Sequence, residues 1–64
     1  MASKTGLTLK LVGEDGNAFS IIGRARQVLK RAGRYEDIEL FQKEATAGDY
    51  NHLLRTCNEW FEVT

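Results

Sequence analysis

The sequence predicts an α+β domain in which one N-terminal strand, with a short C-terminal strand as its candidate partner, packs on three helices. Three observations lead there. Leucines alternate with mostly polar residues near the N-terminus. Three later stretches repeat apolar residues at helical spacing. Glycines and capping residues separate those stretches.

Thr5 to Val12 opens the domain. Leu7, Leu9 and Leu11 alternate with Thr8, Lys10 and Val12, the period-two pattern of a half-buried strand. Gly13-Glu14-Asp15-Gly16-Asn17 is a turn cluster, and Asp-Gly favours a turn because glycine tolerates positive φ. Asn17 is placed to cap the first helix, since its side-chain oxygen can accept a free amide of the next turn. That helix is expected over 18–32, with Ala18, Ile21, Ile22, Ala25, Val28, Leu29 and Ala32 as its apolar stripe. Gly33 is the expected C′ residue. Gly23 falls mid-helix on the polar side, at a cost of about 1 kcal/mol relative to alanine. A close approach by a partner backbone would account for it.

The second helix is expected over 35–47, with Glu36, Asp37 and Glu39 in its first turns, where the helix dipole favours negative charge. Ile38, Phe41 and Ala45 form its inner face, and Gly48 is read as its end. Asp49 caps a third helix from Tyr50 to about Phe61, whose stripe is Tyr50, Leu53, Leu54, Cys57, Trp60 and Phe61. The tail Glu62-Val63-Thr64 continues an alternation begun at Phe61. The expected core is Leu7, Leu9, Leu11, Phe19, Ile22, Ala25, Leu29, Ile38, Phe41, Leu53, Leu54, Cys57 and Trp60. A lone strand leaves its own backbone groups unpaired. It therefore pairs with the tail, with the same strand of a second subunit, or with another protein.

The chain has 64 residues, which predicts a single domain, 1–64, with residues 1–4 disordered. A domain of this length buries only about 60% of its unfolded surface and is marginally stable. The usual staples are missing: a single cysteine, Cys57, excludes an intramolecular disulfide and provides no zinc spacing. Self-association is the remaining source of stability. Nine basic and nine acidic residues cancel, so no overall field draws nucleic acid or an anionic membrane. No apolar run approaches a bilayer span, and Met1 to Lys4 lacks the pattern of a signal peptide. A soluble, cytoplasmic protein without membrane contact is expected.

Few residues suggest chemistry. The loop from Gly13 to Gly16 runs from strand to helix, where phosphate loops sit, but it lacks the glycine-lysine pattern, and Glu14 and Asp15 occupy the phosphate's place. Asp15 and Asn17 have the spacing of early calcium ligands without the later ones. His52 is the only histidine, and no acid stands in a recognisable relation to it. Cys57 lies about 140° around the helix from His52, so the two do not face each other. No catalytic, cofactor-binding or metal-binding residue is assigned, and the chain is not expected to be an enzyme. The one organised charge is on the first helix, where Arg24, Arg26, Lys30, Arg31 and Arg34 are basic without an intervening acid. Such a face either contacts phosphates or makes ion pairs with the acids of the second helix, each worth about 0–1 kcal/mol.

The runs LVGEDGNAF (Leu11 to Phe19) and EATAGDYNHLL (Glu44 to Leu54), with the helix between them, resemble a group of short uncharacterised bacterial proteins, some carried by phages or plasmids. The resemblance extends from about Leu7 to Trp60. The group has no established activity, so it transfers no functional residue and implies only a bacterial or mobile-element setting.

The resulting expectation is a non-enzymatic protein-interaction module, self-associating as a homodimer or acting on a protein partner. Leu7, Leu9, Leu11 and Trp60 are its candidate interface. The alternative is a weak nucleic-acid binder using Arg24, Arg26, Lys30, Arg31 and Arg34.

Overall fold

The computed structural model describes residues 3–64. The elements are β1 (Leu7–Leu9), α1 (Ala18–Arg31), α2 (Tyr35–Ala45), α3 (Tyr50–Trp60) and β2 (Phe61–Val63). The α+β architecture is as the sequence predicts. The strand is shorter, because β2 supplies only three partners: Leu7 lies opposite Phe61, Thr8 opposite Glu62 and Leu9 opposite Val63. The pair is parallel, so all three helices form one crossover between its strands. Hydrogen bonds continue past both ends of the ladder. Thr5 N–H donates to Trp60 O at 3.2 Å, Leu11 N–H to Thr64 O at 2.7 Å, and Thr64 N–H to Leu9 O at 3.0 Å. Of the three pairings open to the N-terminal strand, the one within the chain is formed.

Of the stretch 1–4, read from sequence as disordered, residues 1 and 2 lie outside the described residues. Ser3 N–H donates to Glu62 Oε2 at 2.8 Å and Lys4 N–H to Glu59 O at 2.8 Å. The Ser3 amide also holds the Glu62 carboxyl below its ordinary pKa.

The helix ends follow local chemistry. Asn17 Oδ1 accepts from Phe19 N–H at 2.8 Å, and Asp49 Oδ1 from His52 N–H at 2.9 Å, as N-caps do. Gly33, at φ +74°, closes α1: Gly33 N–H reaches Lys30 O at 3.0 Å and Arg34 N–H reaches Leu29 O at 2.9 Å. This is a Schellman arrangement. The positive φ of the first turn falls on Gly13, at +79°, not on Gly16. α2 stops two residues before the expected Ala47, with the Thr46 hydroxyl turned back onto Gln42 O at 2.7 Å. Gly48 has no positive φ and is not a left-handed cap. It is small because a Cβ there would stand 2.8 Å from His52 Cβ and Cγ.

Leu9, Ile21, Ala25, Leu29, Phe41, Ala45, Leu53, Cys57, Trp60 and Phe61 form the core, with Leu7, Leu11, Ile22, Ile38 and Leu54 packed partly buried around it. Phe41 lies at its centre, edge-on to Trp60 at 5.6 Å and to Phe61 at 5.4 Å. Such aromatic pairs contribute about 0.5–1.5 kcal/mol each beyond their buried area. Ile21 rather than Ile22 points fully inward, and Phe19, expected in the core, is 86% exposed. On α1 the inward direction is set by Ile21, Ala25 and Leu29, and position 19 lies roughly 115° around the helix from their mean.

Candidate functional site

Phe19 is the least buried large apolar side chain of the described residues. It shares an outward face of α1 with Gly23, Arg26 and Lys30, which recur at intervals of four, three and four residues. Two depressions border α1, one beside Phe19 and one further along the helix. Beside Phe19, Ala18, Ile22, Ala45 and Leu53 line an apolar groove of about 280 Å³, with Phe19 and Tyr50 among its walls. Tyr50 is 46% exposed. Its hydroxyl donates to Gly16 O, which fixes the ring across the mouth of the α1 loop. Further along α1, Gly23, Arg26, Gln27, Lys30 and Ile38 line a second hollow of about 270 Å³. A Cβ at Gly23 would meet nothing within 4 Å, so packing within the chain does not require glycine there.

The acid–base layout of α1 is uneven. At its N-terminal end Asp15 accepts from Asn17 N–H at 3.0 Å and from the Ser20 hydroxyl at 3.1 Å. The Asn17 amide first, then Ser20, hold this carboxyl below its ordinary pKa. Glu14 and Asp49 are also exposed at this end. The five basic residues do not form one patch. Arg24 is half-buried and donates through Nη2 to Asp15 O at 2.8 Å, while its Nε is buried without a partner among the described residues. Arg34 pairs with Asp37 at 3.3 Å. Arg26, Lys30 and Arg31 make no salt bridge among the described residues. Arg31 is turned roughly 100–140° around the helix from the other two. Among the described residues no ion pair joins α1 to α2: Arg34 stands at the N-cap of α2 and its pair with Asp37 is local to that helix, while Arg26 faces Glu36 and Glu39 across an open groove of about 790 Å³.

The other candidate residues belong to the fold. Leu9 and Trp60 are buried and offer no outer interface, while Leu7 and Leu11 pack partly buried against the core. Trp60 Nε1 donates to Glu44 Oε1 at 3.3 Å, and Lys4 Nζ lies 5.1 Å from the indole centroid. His52 Nε2 donates to Glu44 O at 2.7 Å, so the ring is a strut between α2 and α3. Cys57 is fully buried, and desolvation pushes its thiol up to about 11, which leaves almost no thiolate near neutrality. The spacing of Phe19 with Gly23, Arg26 and Lys30 was present in the sequence. The apolar stripe read for α1 has the direction the structure shows, and it leaves Phe19 on the outward side with Gly23, Arg26 and Lys30.

Comparison with known protein families, curated proteins and solved structures gives no match. No helix among the described residues is long and apolar enough to cross a membrane.

Proposed function

We propose that the chain is a small, non-enzymatic protein-interaction module of the cytoplasm that binds another polypeptide through the α1 surface around Phe19. The observation that carries this reading is a phenylalanine 86% exposed beside an apolar groove in a domain with little core to spare. Fully burying such a side chain contributes about 1.5–3 kcal/mol, and here that gain is left for association. Aromatic anchors beside apolar pockets are where interface energy concentrates. Phe19 and Tyr50 thus replace Leu7, Leu9, Leu11 and Trp60 as the contact residues.

Panning a displayed library of random peptides against the immobilised protein tests this. Peptides with apolar anchors are expected. Their affinity should fall at least about tenfold, about 1.4 kcal/mol, in Phe19→Ser and be unchanged in Tyr35→Ser, an exposed aromatic at the start of α2. Enrichment of no peptide, or equal binding by Phe19→Ser, defeats the reading.

A second reading, weak nucleic-acid binding, is favoured by Arg26, Lys30 and Arg31, which make no salt bridge among the described residues. It requires binding of labelled DNA or RNA that weakens as salt rises and disappears when these three are neutralised. Absence of binding at low salt excludes it.

A further inference from the structure

We propose that the partner of this surface is a second copy of the chain, its α1 crossing the first antiparallel over Gly23, with Phe19 of each copy seated in the Gly23–Lys30 hollow of the other. The inference rests on Phe19 being an interaction residue, as argued above, and three independent features carry it further.

The first is the glycine. Gly23 is exposed in the middle of a helix, with positive φ absent and open space where its Cβ would be. Neither backbone conformation nor internal packing requires it, yet it costs about 1 kcal/mol relative to alanine. A backbone or ring approaching from outside is what a missing Cβ admits.

The second is the pairing of projection and hollow on one face. Phe19 stands one turn before Gly23, and the hollow lined by Arg26, Gln27 and Lys30 lies on and beyond it. Under a two-fold axis through the Gly23–Arg26 region, antiparallel helices bring each Phe19 opposite the other copy's hollow. An isologous contact needs this self-complementarity. Arg26 and Lys30 at the rim would lie against the ring, an arrangement that cations and aromatic faces favour.

The third is charge. The exposed acids at the N-terminal end of α1 are Glu14 and Asp49, since Asp15 turns to Ser20 and Arg24 on another side of the helix; further on, Arg26 and Lys30 have no salt bridge among the described residues, with Glu36 and Glu39 across the open groove from Arg26. Antiparallel crossing sets the basic half of each copy against the acidic end of the other. A parallel arrangement would set like against like, so the charge layout selects the crossing as well as the partner.

One helix per subunit makes a small interface, below about 1,200 Å² in total. Solution mass by light scattering should therefore be followed from about micromolar to about millimolar protein, the range in which such contacts dissociate. The wild type should approach twice the monomer mass across that range. Phe19→Ser and Gly23→Leu should stay monomeric with unchanged far-UV circular dichroism, since both sites are exposed. Lys30→Glu and Glu14→Lys should each be monomeric alone and form the dimer when mixed. A wild type that is monomeric throughout overturns the proposal, as does a dimer that survives both Phe19→Ser and Gly23→Leu. Peptides lost on Phe19→Ser in a monomeric wild type would leave the interaction reading standing and sink only the self-pairing. Their absence as well would sink both.

Discussion

Gly48 shows how one missing carbon can position a helix. His52 is tied to the Glu44 carbonyl through Nε2 at 2.7 Å, and its Cβ and Cγ occupy the space a Gly48 side chain would need, 2.8 Å away. The ring cannot swing aside without losing that hydrogen bond. Gly48→Ala should therefore cost about 1–3 kcal/mol through overpacking, seen as a lower urea midpoint; an unchanged midpoint would mean that the α2–α3 turn relaxes freely. Cys57 carries a different sensitivity. Its ordinary value is 9.0, and burial raises it to about 11 in the fold, so the folded state keeps a proton that the unfolded state releases. Its contribution is complete below about pH 9 and lost as pH rises towards 11, with a slope of up to about 1.4 kcal/mol per pH unit. In chemical denaturation across that window, the stability gap between wild type and Cys57→Ala should narrow; a constant gap would refute the assignment. Single positions were also where sequence reasoning failed. Gly48 read as a helix stop because a contact from the next helix is invisible to local pattern. Phe19 was read as core on its hydrophobicity, although the apolar stripe of α1, Ala18, Ile21, Ile22, Ala25, Val28, Leu29 and Ala32, already leaves it to one side.

The helices and their caps were readable because their signals are local: Asn17, Gly33 and Asp49 act within one turn of themselves. The strands were less so. β1 has three ladder residues where alternation suggested eight, because a strand's extent depends on its partner, and the partner comes from the far end of the chain. The C-terminal tail joins α3 to the sheet through Phe61, which ends the helix, opens β2 and packs edge-on against Phe41. Phe61→Ala should accordingly remove about 3–5 kcal/mol. Domains of this length hold about 3–10 kcal/mol in all. Loss of near-UV circular dichroism and a broad, early melt are therefore expected, while Val63→Ala, at a half-buried strand position, should melt cooperatively. A cooperative melt of Phe61→Ala within a few degrees of wild type would show that the β1–β2 pair is peripheral to the fold.

Marginal size links stability to association. With no disulfide and Cys57 buried as a free thiol, the chain depends on one small core, so any surface buried between copies adds a large fraction to its stability. The pattern of α1 makes this concrete, since Phe19, Gly23 and the separated charges lie on the side that the core leaves open. Sequence reasoning reached self-association from the marginal size and the lone strand, with Leu7, Leu9, Leu11 and Trp60 as its candidate contacts. The structure pairs that strand with β2, and α1 carries the most exposed large apolar side chain, Phe19. If unfolding is coupled to dissociation, the melting temperature must depend on concentration. A tenfold increase in protein adds about 1.4 kcal/mol per dimer, or about 0.7 per chain, once the concentration exceeds the dissociation constant. For a domain of this size that corresponds to a rise of about 3–5 °C. Differential scanning calorimetry of the wild type should show this rise for each tenfold step, and Phe19→Ser should melt at one temperature throughout. A wild-type melting temperature independent of concentration up to about millimolar would overturn self-pairing through Phe19 and Gly23.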